Sequence, residues 1–102
     1  MNIFSLFGSG KIKDAIRRGA IIIHVRPPNK FDEGHVEDAV NIPVDRLPIN
    51  AERLKNMNRP IIFCCDSGFE SSVGVKMMRE RGVKEVYNGG SWANLAKIVK
   101  RL

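Results

Sequence analysis

Long apolar runs are missing from this sequence of 102 residues. Crossing a bilayer takes about 20 consecutive apolar residues, and no stretch of the chain approaches that length. The apolar start, Met1 to Gly8, has no positive charge before it and basic residues after it, the reverse of a secretory signal. We therefore expect no membrane span, a cytoplasmic location, and a leading segment, residues 1–9, that packs its Phe and Leu side chains onto the domain.

Cysteine is scarce, with only the adjacent pair Cys64 and Cys65. A disulfide framework needs separated pairs, and a metal site needs spaced ligands such as C-x-x-C. Neighbouring residues of a strand also point to opposite faces, so the two thiols do not readily bridge each other. We expect no metal and no cofactor, which leaves a buried pair or one reactive thiol.

The sequence also has no repeat, linker or low-complexity tract, and no nucleic-acid-binding motif. Its length and its ordinary apolar and charged fractions, 43% and 27%, predict one globular domain over residues 1–102. The net charge of +6 is spread along the chain and is not interleaved with aromatic residues. We therefore expect solvated helix faces, or a basic docking surface for a partner, and no nucleic-acid partner.

Apolar segments of strand type alternate with segments of helical periodicity, a pattern typical of an α/β fold with a mostly parallel sheet and helices on both faces. Strands are predicted at 20–25, 39–43, 61–65 and 83–87, and helical segments near 10–18, 31–35, 47–57, 71–81 and 92–101. A turn is predicted at Asn88-Gly89-Gly90, which would secondarily form a pocket wall. In such a sheet a ligand site lies at the carboxyl ends of the strands.

Cys65 ends the most strand-like segment, and a short loop follows that leads into a helix. If that loop curls around the sulfur, its backbone N–H groups and the helix N-terminus favour the thiolate over the thiol. Both effects lower the pKa of the cysteine and make it a nucleophile. Gly68 suits a tight turn, and Ser71 is a good residue to start a helix.

Three segments, in order, resemble the motifs of the rhodanese family. His24-Val25-Arg26 and Phe31-x-x-Gly34-His35-Val36-x-x-Ala39-x-Asn41-Ile42-Pro43 resemble D-V-R and F-x-x-G-H-I-x-G-A-x-N-I-P. Residues 63–71 resemble the active-site segment Y-C-x-x-G-x-R-S, and residues 83–92 resemble the closing V-x-x-L-x-G-G-x-x-x-W stretch. The resemblance extends over residues 12–100, nearly the whole chain.

The resemblance implies a sulfurtransferase with a rhodanese-like fold. It implies that Cys65 takes a sulfane sulfur from a small donor or a protein persulfide, becomes a persulfide, and passes the sulfur to a thiol or cyanide. The substrate-binding loop would consist of Asp66, Ser67, Gly68, Phe69, Glu70 and Ser71. Cys64 stands where the family often has an aromatic residue, and we interpret it as core packing.

Two departures from the family pattern matter for the site: His24 replaces the aspartate of D-V-R, and Glu70 replaces the loop arginine. One hypothesis is that His24 and Glu70 interact in the fold; the alternative is that they are independent and Glu70 points into solvent. A loop that carries Asp66 and Glu70 is a poor electrostatic match for dianionic thiosulfate. We therefore expect weak use of thiosulfate and a better fit to a neutral or protein-borne donor.

Other residues near the site are interpreted as supporting. His24 and Arg26 would support the site or line its rim, Asp45 and Arg46 would line its rim, and His35 would be structural. Related folds hold oxyanions with C-x5-R, but Cys64-x5-Glu70 ends in a carboxylate that would repel phosphate. Arsenate reduction has no specific support. The main alternative is an inactive rhodanese-like module used for binding or regulation.

Overall fold

The computed structural model describes the backbone of residues 3–102 and the side chains of residues 10–102. Its strands are β1 (Ile21–His24), β2 (Val40–Asn41), β3 (Ile61–Cys65) and β4 (Val86–Ser91). Its α-helices are α1 (Ile3–Arg17), α2 (Pro28–Glu33), α3 (Leu47–Asn56), α4 (Phe69–Glu80) and α5 (Trp92–Lys100). A short 3-10 helix, Val44–Arg46, precedes α3. Among the described residues, no helix is both long enough and apolar enough to cross a membrane.

The four strands form one parallel sheet in the order β2-β1-β3-β4. β3 lies inside the sheet, and all five of its residues are buried. A strand covered on both faces needs apolar side chains throughout, which is why Ile61 to Cys65 shows no alternation with polar residues. The predicted α/β fold with a parallel sheet is therefore confirmed.

The side chains of β3 alternate between two apolar clusters, one on each face of the sheet. Cys65 joins the cluster that also includes residues of α3 and α4, such as Leu47 and Val75. Cys64 joins the cluster that includes Ile12 of α1 and Leu95 of α5. The two thiols thus face opposite sides of the sheet, as the strand period of two predicts.

The last strand differs from the prediction. A strand at 83–87 followed by a turn at Asn88-Gly89-Gly90 was expected, but β4 begins at Val86 and continues through these three residues to Ser91. The register of β4 against β3 shifts between Phe63 and Cys64, which is a bulge. A Cβ at Gly89 would lie 2.8 Å from Cγ2 of Ile62, so glycine here permits close packing in the sheet and does not end the strand.

Several helix boundaries also differ. α1 begins at Ile3, well before the predicted start near residue 10, and α4 begins at Phe69, two residues early. α2 begins at Pro28 and ends at Glu33, where a turn at 31–35 was expected, because proline suits the first turn of a helix. The expected packing of the Phe and Leu side chains of residues 1–9 lies outside the described residues.

Candidate active site

Cys65 is the last residue of β3, and its side chain lies under the loop that leads into α4. The residue has no exposed surface. The backbone N–H of Gly68 donates a hydrogen bond to its Sγ over 3.0 Å, and Oγ of Ser71 lies 3.5 Å from the same sulfur. The loop thus curls around the sulfur as the sequence suggested.

Hydrogen bonds determine the acidity of this thiol. Burial by itself would raise the pKa of Cys65, because an anion is less stable away from water. The Ser71 hydroxyl and the backbone N–H groups of Ser71, Gly68 and Ser67 act in the opposite direction and lower the pKa of Cys65 below that of a free thiol. The site therefore favours the thiolate, the nucleophilic form of cysteine.

Gly68 makes this loop geometry accessible. Its φ of +98° lies in the left-handed region, where a side chain is unfavourable. A Cβ at this position would also lie 3.2 Å from Cα of Gly90 on β4. Glycine is therefore required both by the turn and by the contact between the loop and the sheet.

Cys64 has the opposite character. It has no exposed surface, and burial raises the pKa of its thiol to about 12. A cysteine with this pKa remains protonated at neutral pH and is inert. These observations agree with the interpretation of Cys64 as a core residue.

Arg26 is buried, which favours a supporting position over an exposed rim. Its side chain is 6% exposed, and its Nε lies 3.0 Å from Oδ1 of Asp66. Its Nη1 donates to the Gly34 carbonyl over 2.9 Å, and its guanidinium carbon lies 5.2 Å from the Trp92 ring centroid. Arg26 therefore connects the start of the active-site loop to α5 and to the end of α2. Asp45 and Arg46 are exposed in the 3-10 helix and line a surface groove.

The proposed contact between His24 and Glu70 is wrong. His24 is fully buried, and its Nε2 accepts a hydrogen bond from the backbone N–H of Val36 over 3.1 Å. Glu70 is exposed in the first turn of α4, where a carboxylate is favourable next to the positive end of the helix. Burial, and then the charge of Arg26, lower the pKa of His24 to about 4. His24 is thus a neutral core residue whose environment does not involve Glu70.

The remaining loop residues have distinct surroundings. Phe69 is 75% exposed, a large apolar side chain in water beside the buried sulfur. Ser67 accepts a hydrogen bond from the Phe69 N–H over 3.3 Å.

His35 lies outside the loop, where its ring stacks on Phe31 with the centroids 3.8 Å apart. This contact agrees with a structural role for His35.

The sequence pattern placed Asn88 in a turn and secondarily in a pocket wall, but it did not predict the hydrogen bonds of this side chain to the loop. Its side chain reaches from β4 to the loop, where it accepts from the Ser71 hydroxyl over 2.6 Å and donates to the Gly68 carbonyl over 2.9 Å. A usable signal was present, since a polar residue at the carboxyl end of a strand beside β3 lies at the edge where ligand sites form. The expectation of a turn concealed it.

Known proteins are similar to this chain in sequence and in fold. The model of the Rhodanese-like domain family matches residues 9–95. YqhL of Bacillus subtilis is 32% identical over 87 residues, which cover 81% of this chain and 68% of that protein. The thiosulfate sulfurtransferase PspE of Escherichia coli is 28% identical over 75 residues, and the match covers 72% of this chain and 72% of that protein.

The structure of reduced CoADR-RHD from Bacillus anthracis superposes with a TM-score of 0.71 at 28% identity. That match covers 91% of this chain but only 16% of the longer protein, so this chain corresponds to a small part of it. The fold, the order of the motifs and the family match agree with one another. The chain belongs to the rhodanese-like domain family, whose members include named sulfurtransferases.

Proposed function

We propose that this protein is a sulfurtransferase that carries a sulfane sulfur as a persulfide on Cys65. The observation that carries the proposal is the hydrogen bonding of the Cys65 sulfur by the Gly68 N–H and Ser71. These donors lower the pKa of the thiol in spite of its burial. We propose that the N–H dipoles of the loop also stabilise an added terminal sulfur, which bears the negative charge of a persulfide.

The proposed reaction has two displacements at sulfur. The Cys65 thiolate attacks the outer sulfur of a donor R–S–S⁻; the S–S bond of the donor breaks, the Cys65 persulfide forms, and R–S⁻ leaves, which is sulfite when the donor is thiosulfate. An acceptor thiolate, or cyanide, then attacks the terminal sulfur. The bond between the two sulfurs breaks and its electron pair returns to Cys65, so the thiolate is regenerated without an external oxidant or reductant.

The charges of the loop favour donors other than thiosulfate. Residues 66–71 include Asp66 and Glu70 but no lysine or arginine. The nearby Arg26 is buried and lies against Asp66, so its charge is already partly compensated. A dianion would therefore approach an exposed carboxylate, Glu70, without a free cation in the loop to receive it. We propose weak use of thiosulfate and better use of a neutral or protein-borne sulfur donor, with a thiol as the acceptor.

The location follows from the same chemistry. Cys64 and Cys65 are both free, and the cycle needs Cys65 as a reduced thiolate before each turnover. Thiols remain reduced in the cytosol and are oxidised in extracellular compartments. We therefore propose a cytoplasmic location.

Intact-mass measurement after incubation with a sulfur donor tests the proposal. We expect thiosulfate to load little sulfur and the persulfide of 2-mercaptoethanol, whose organic group is uncharged, to add one sulfur, roughly 32 Da, to the wild-type protein. Cys65→Ser abolishes the addition, whereas Cys64→Ala, its matched neighbour on the other face of the sheet, retains it. Absence of the added mass with both donors would contradict the proposal and favour the alternative, an inactive module for binding or regulation.

A further inference from the structure

The side chain of Asn88 makes three hydrogen bonds, two of which link β4 to the active-site loop and the first turn of α4. Its Oδ1 accepts from the Gly90 N–H over 2.8 Å and from the Ser71 hydroxyl over 2.6 Å. Its Nδ2 donates to the Gly68 carbonyl over 2.9 Å. Exchanging the two amide atoms would put Nδ2 against the Gly90 N–H and Oδ1 against the Gly68 carbonyl, so the network permits one orientation.

Ser71 is the partner that connects Asn88 to the sulfur. It is fully buried, and its hydroxyl has one proton. Three acceptors lie within reach of that proton: Oδ1 of Asn88 at 2.6 Å, the Gly68 carbonyl at 3.0 Å and the Cys65 sulfur at 3.5 Å. The Gly68 carbonyl already accepts from Asn88 Nδ2 and from the Ser72 N–H, so the effective competitors are Asn88 and the sulfur.

The state of the sulfur decides this competition. While Cys65 is a thiol, it has its own proton to donate, and the Ser71 hydroxyl is best placed toward Asn88. When Cys65 is a thiolate, its charge makes it the stronger acceptor, because a hydrogen bond to an ionised group is about twice as strong as a neutral one. The hydroxyl proton then turns toward the sulfur, and no covalent bond to that proton breaks.

We propose that Asn88 is a positioning residue of this site, which holds the Ser71 hydroxyl and the Gly68 carbonyl in place and lets the hydroxyl redirect its hydrogen bond from Asn88 to the sulfur when Cys65 ionises. The inference rests on the proposed function for its purpose, since each sulfur transfer begins and ends at the thiolate. Asn88 also gives the buried hydroxyl an acceptor while Cys65 is a thiol. A buried donor without an acceptor is unfavourable.

Replacement of the amide by a carboxylate separates this role from simple packing. Asn88→Asp keeps the size of the side chain and both acceptor contacts, but its charge holds the Ser71 proton more firmly and it cannot donate to Gly68. We expect the pKa of Cys65 to rise by about one unit for two reasons. The Ser71 hydroxyl stays with the new carboxylate and no longer donates to the sulfur, and the negative charge of that carboxylate disfavours a thiolate nearby. The first contribution requires Ser71, whereas the second does not.

A double-mutant cycle resolves the two contributions. The pKa of Cys65 is measured from the pH dependence of iodoacetamide alkylation, followed by intact mass, with Cys64→Ala present throughout so that one thiol reacts. The four proteins are the Cys64→Ala reference, Asn88→Asp, Ser71→Ala and the double variant, each checked for folding by circular dichroism. We expect Asn88→Asp to raise the pKa distinctly more in the presence of Ser71 than in the Ser71→Ala background.

Equal pKa changes in the two backgrounds would overturn the role of Asn88. If Asn88→Asp does not fold, Asn88→Ser takes its place in the cycle, and equal changes again overturn the proposal. Alkylation needs no sulfur donor, so this result is independent of the proposed sulfur transfer. If the two pKa changes differ but no donor loads sulfur, only the proposed sulfur transfer is contradicted. If sulfur is loaded but the two pKa changes are equal, only the positioning role of Asn88 is contradicted.

Discussion

Adjacent cysteines of β3 differ in acidity because they face opposite sides of the sheet. Burial raises the pKa of Cys64 to about 12. At Cys65, burial acts in the same direction but is outweighed by donors of the loop, above all the Ser71 hydroxyl. The reactivity of a cysteine in β3 thus depends on which face of the sheet its side chain occupies. Cys65 faces the curled loop, whereas Cys64, one residue earlier, faces the other side.

The substitution Glu70→Arg tests how a single charge in the loop affects the reaction with thiosulfate. It replaces an exposed carboxylate in the first turn of α4 by the arginine found in the family motif. We expect the rate of sulfur loading from thiosulfate to rise about tenfold at low ionic strength and the gain to shrink as salt is added, because exposed charges are screened. The rate is measured by intact mass at two salt concentrations.

Glu80→Arg is the matched control, because it makes the same charge change at the other end of α4, about 15 Å away by helix rise. It should leave the thiosulfate rate nearly unchanged. A similar gain in both variants would mean that net charge, and not the loop, limits the reaction with thiosulfate.

At the scale of elements, the segment between α2 and β2 contains a residue in an unfavourable conformation. Asp38 has a φ of 65°, in the left-handed region, and stands where the family motif has glycine. Two residues later, Val40 begins the strand that pairs with β1. The segment thus enters β2 through a turn that glycine would adopt with less strain.

Asp38→Gly should stabilise the protein. Relief of the left-handed conformation outweighs the greater freedom of glycine in the unfolded chain, and we expect the free energy of unfolding to rise by about 0.5–1 kcal/mol. Urea unfolding followed by the fluorescence of Trp92, the single tryptophan, measures it. Glu37→Gly, the exposed neighbour without a positive φ, should instead destabilise, and a gain of stability in both variants would refute the strain argument.

At the scale of the whole molecule, one cluster around the buried His24 and Arg26 links β1, α2, α5 and the active-site loop. The ring of His24 lies 5.3 Å from that of Phe31 and 6.0 Å from that of Trp92, between centroids. Arg26, two residues along, lies over the same Trp92 ring and against Asp66. A charge placed on His24 would therefore disturb the packing of elements on both sides of the site.

Acid should destabilise the fold through His24. Its pKa is about 4 in the folded protein, against 6.5 for an unperturbed histidine, because of burial and the charges of Arg26 and His35, with Asp66 acting in the opposite direction. Between pH 4 and pH 6.5, His24 is therefore protonated in the unfolded chain and neutral in the folded protein. Stability is full above pH 6.5 and falls toward pH 4, by on the order of 3 kcal/mol.

Urea unfolding at pH 7.5 and pH 4.5 measures this effect in the wild-type protein and in His24→Gln, which cannot titrate. The other titrating groups are common to both proteins, so the difference between them isolates His24. We expect the stability advantage of the wild-type protein to shrink by about 2–3 kcal/mol at the lower pH. An advantage that is equal at both pH values would contradict the low pKa of His24.

The sequence alone determined the elements whose signals are local. The apolar run of β3 predicted a buried strand, alternation of strands and helices predicted the parallel sheet, and the position of Cys65 before Gly68 predicted a curled loop. These features depend on side-chain periodicity and on the conformational range of glycine, which are properties of neighbouring residues.

Tertiary structure decided the features that depend on contacts between distant parts of the chain. Asn88 lies in a strand because pairing with β3 continues past Gly89, where close packing excludes a side chain. His24 contacts the backbone of Val36 and not Glu70, and Arg26 is buried against Asp66. The acidity of Cys65 follows from the same kind of contact, since its donors are aligned only when the loop, α4 and β4 meet around the sulfur.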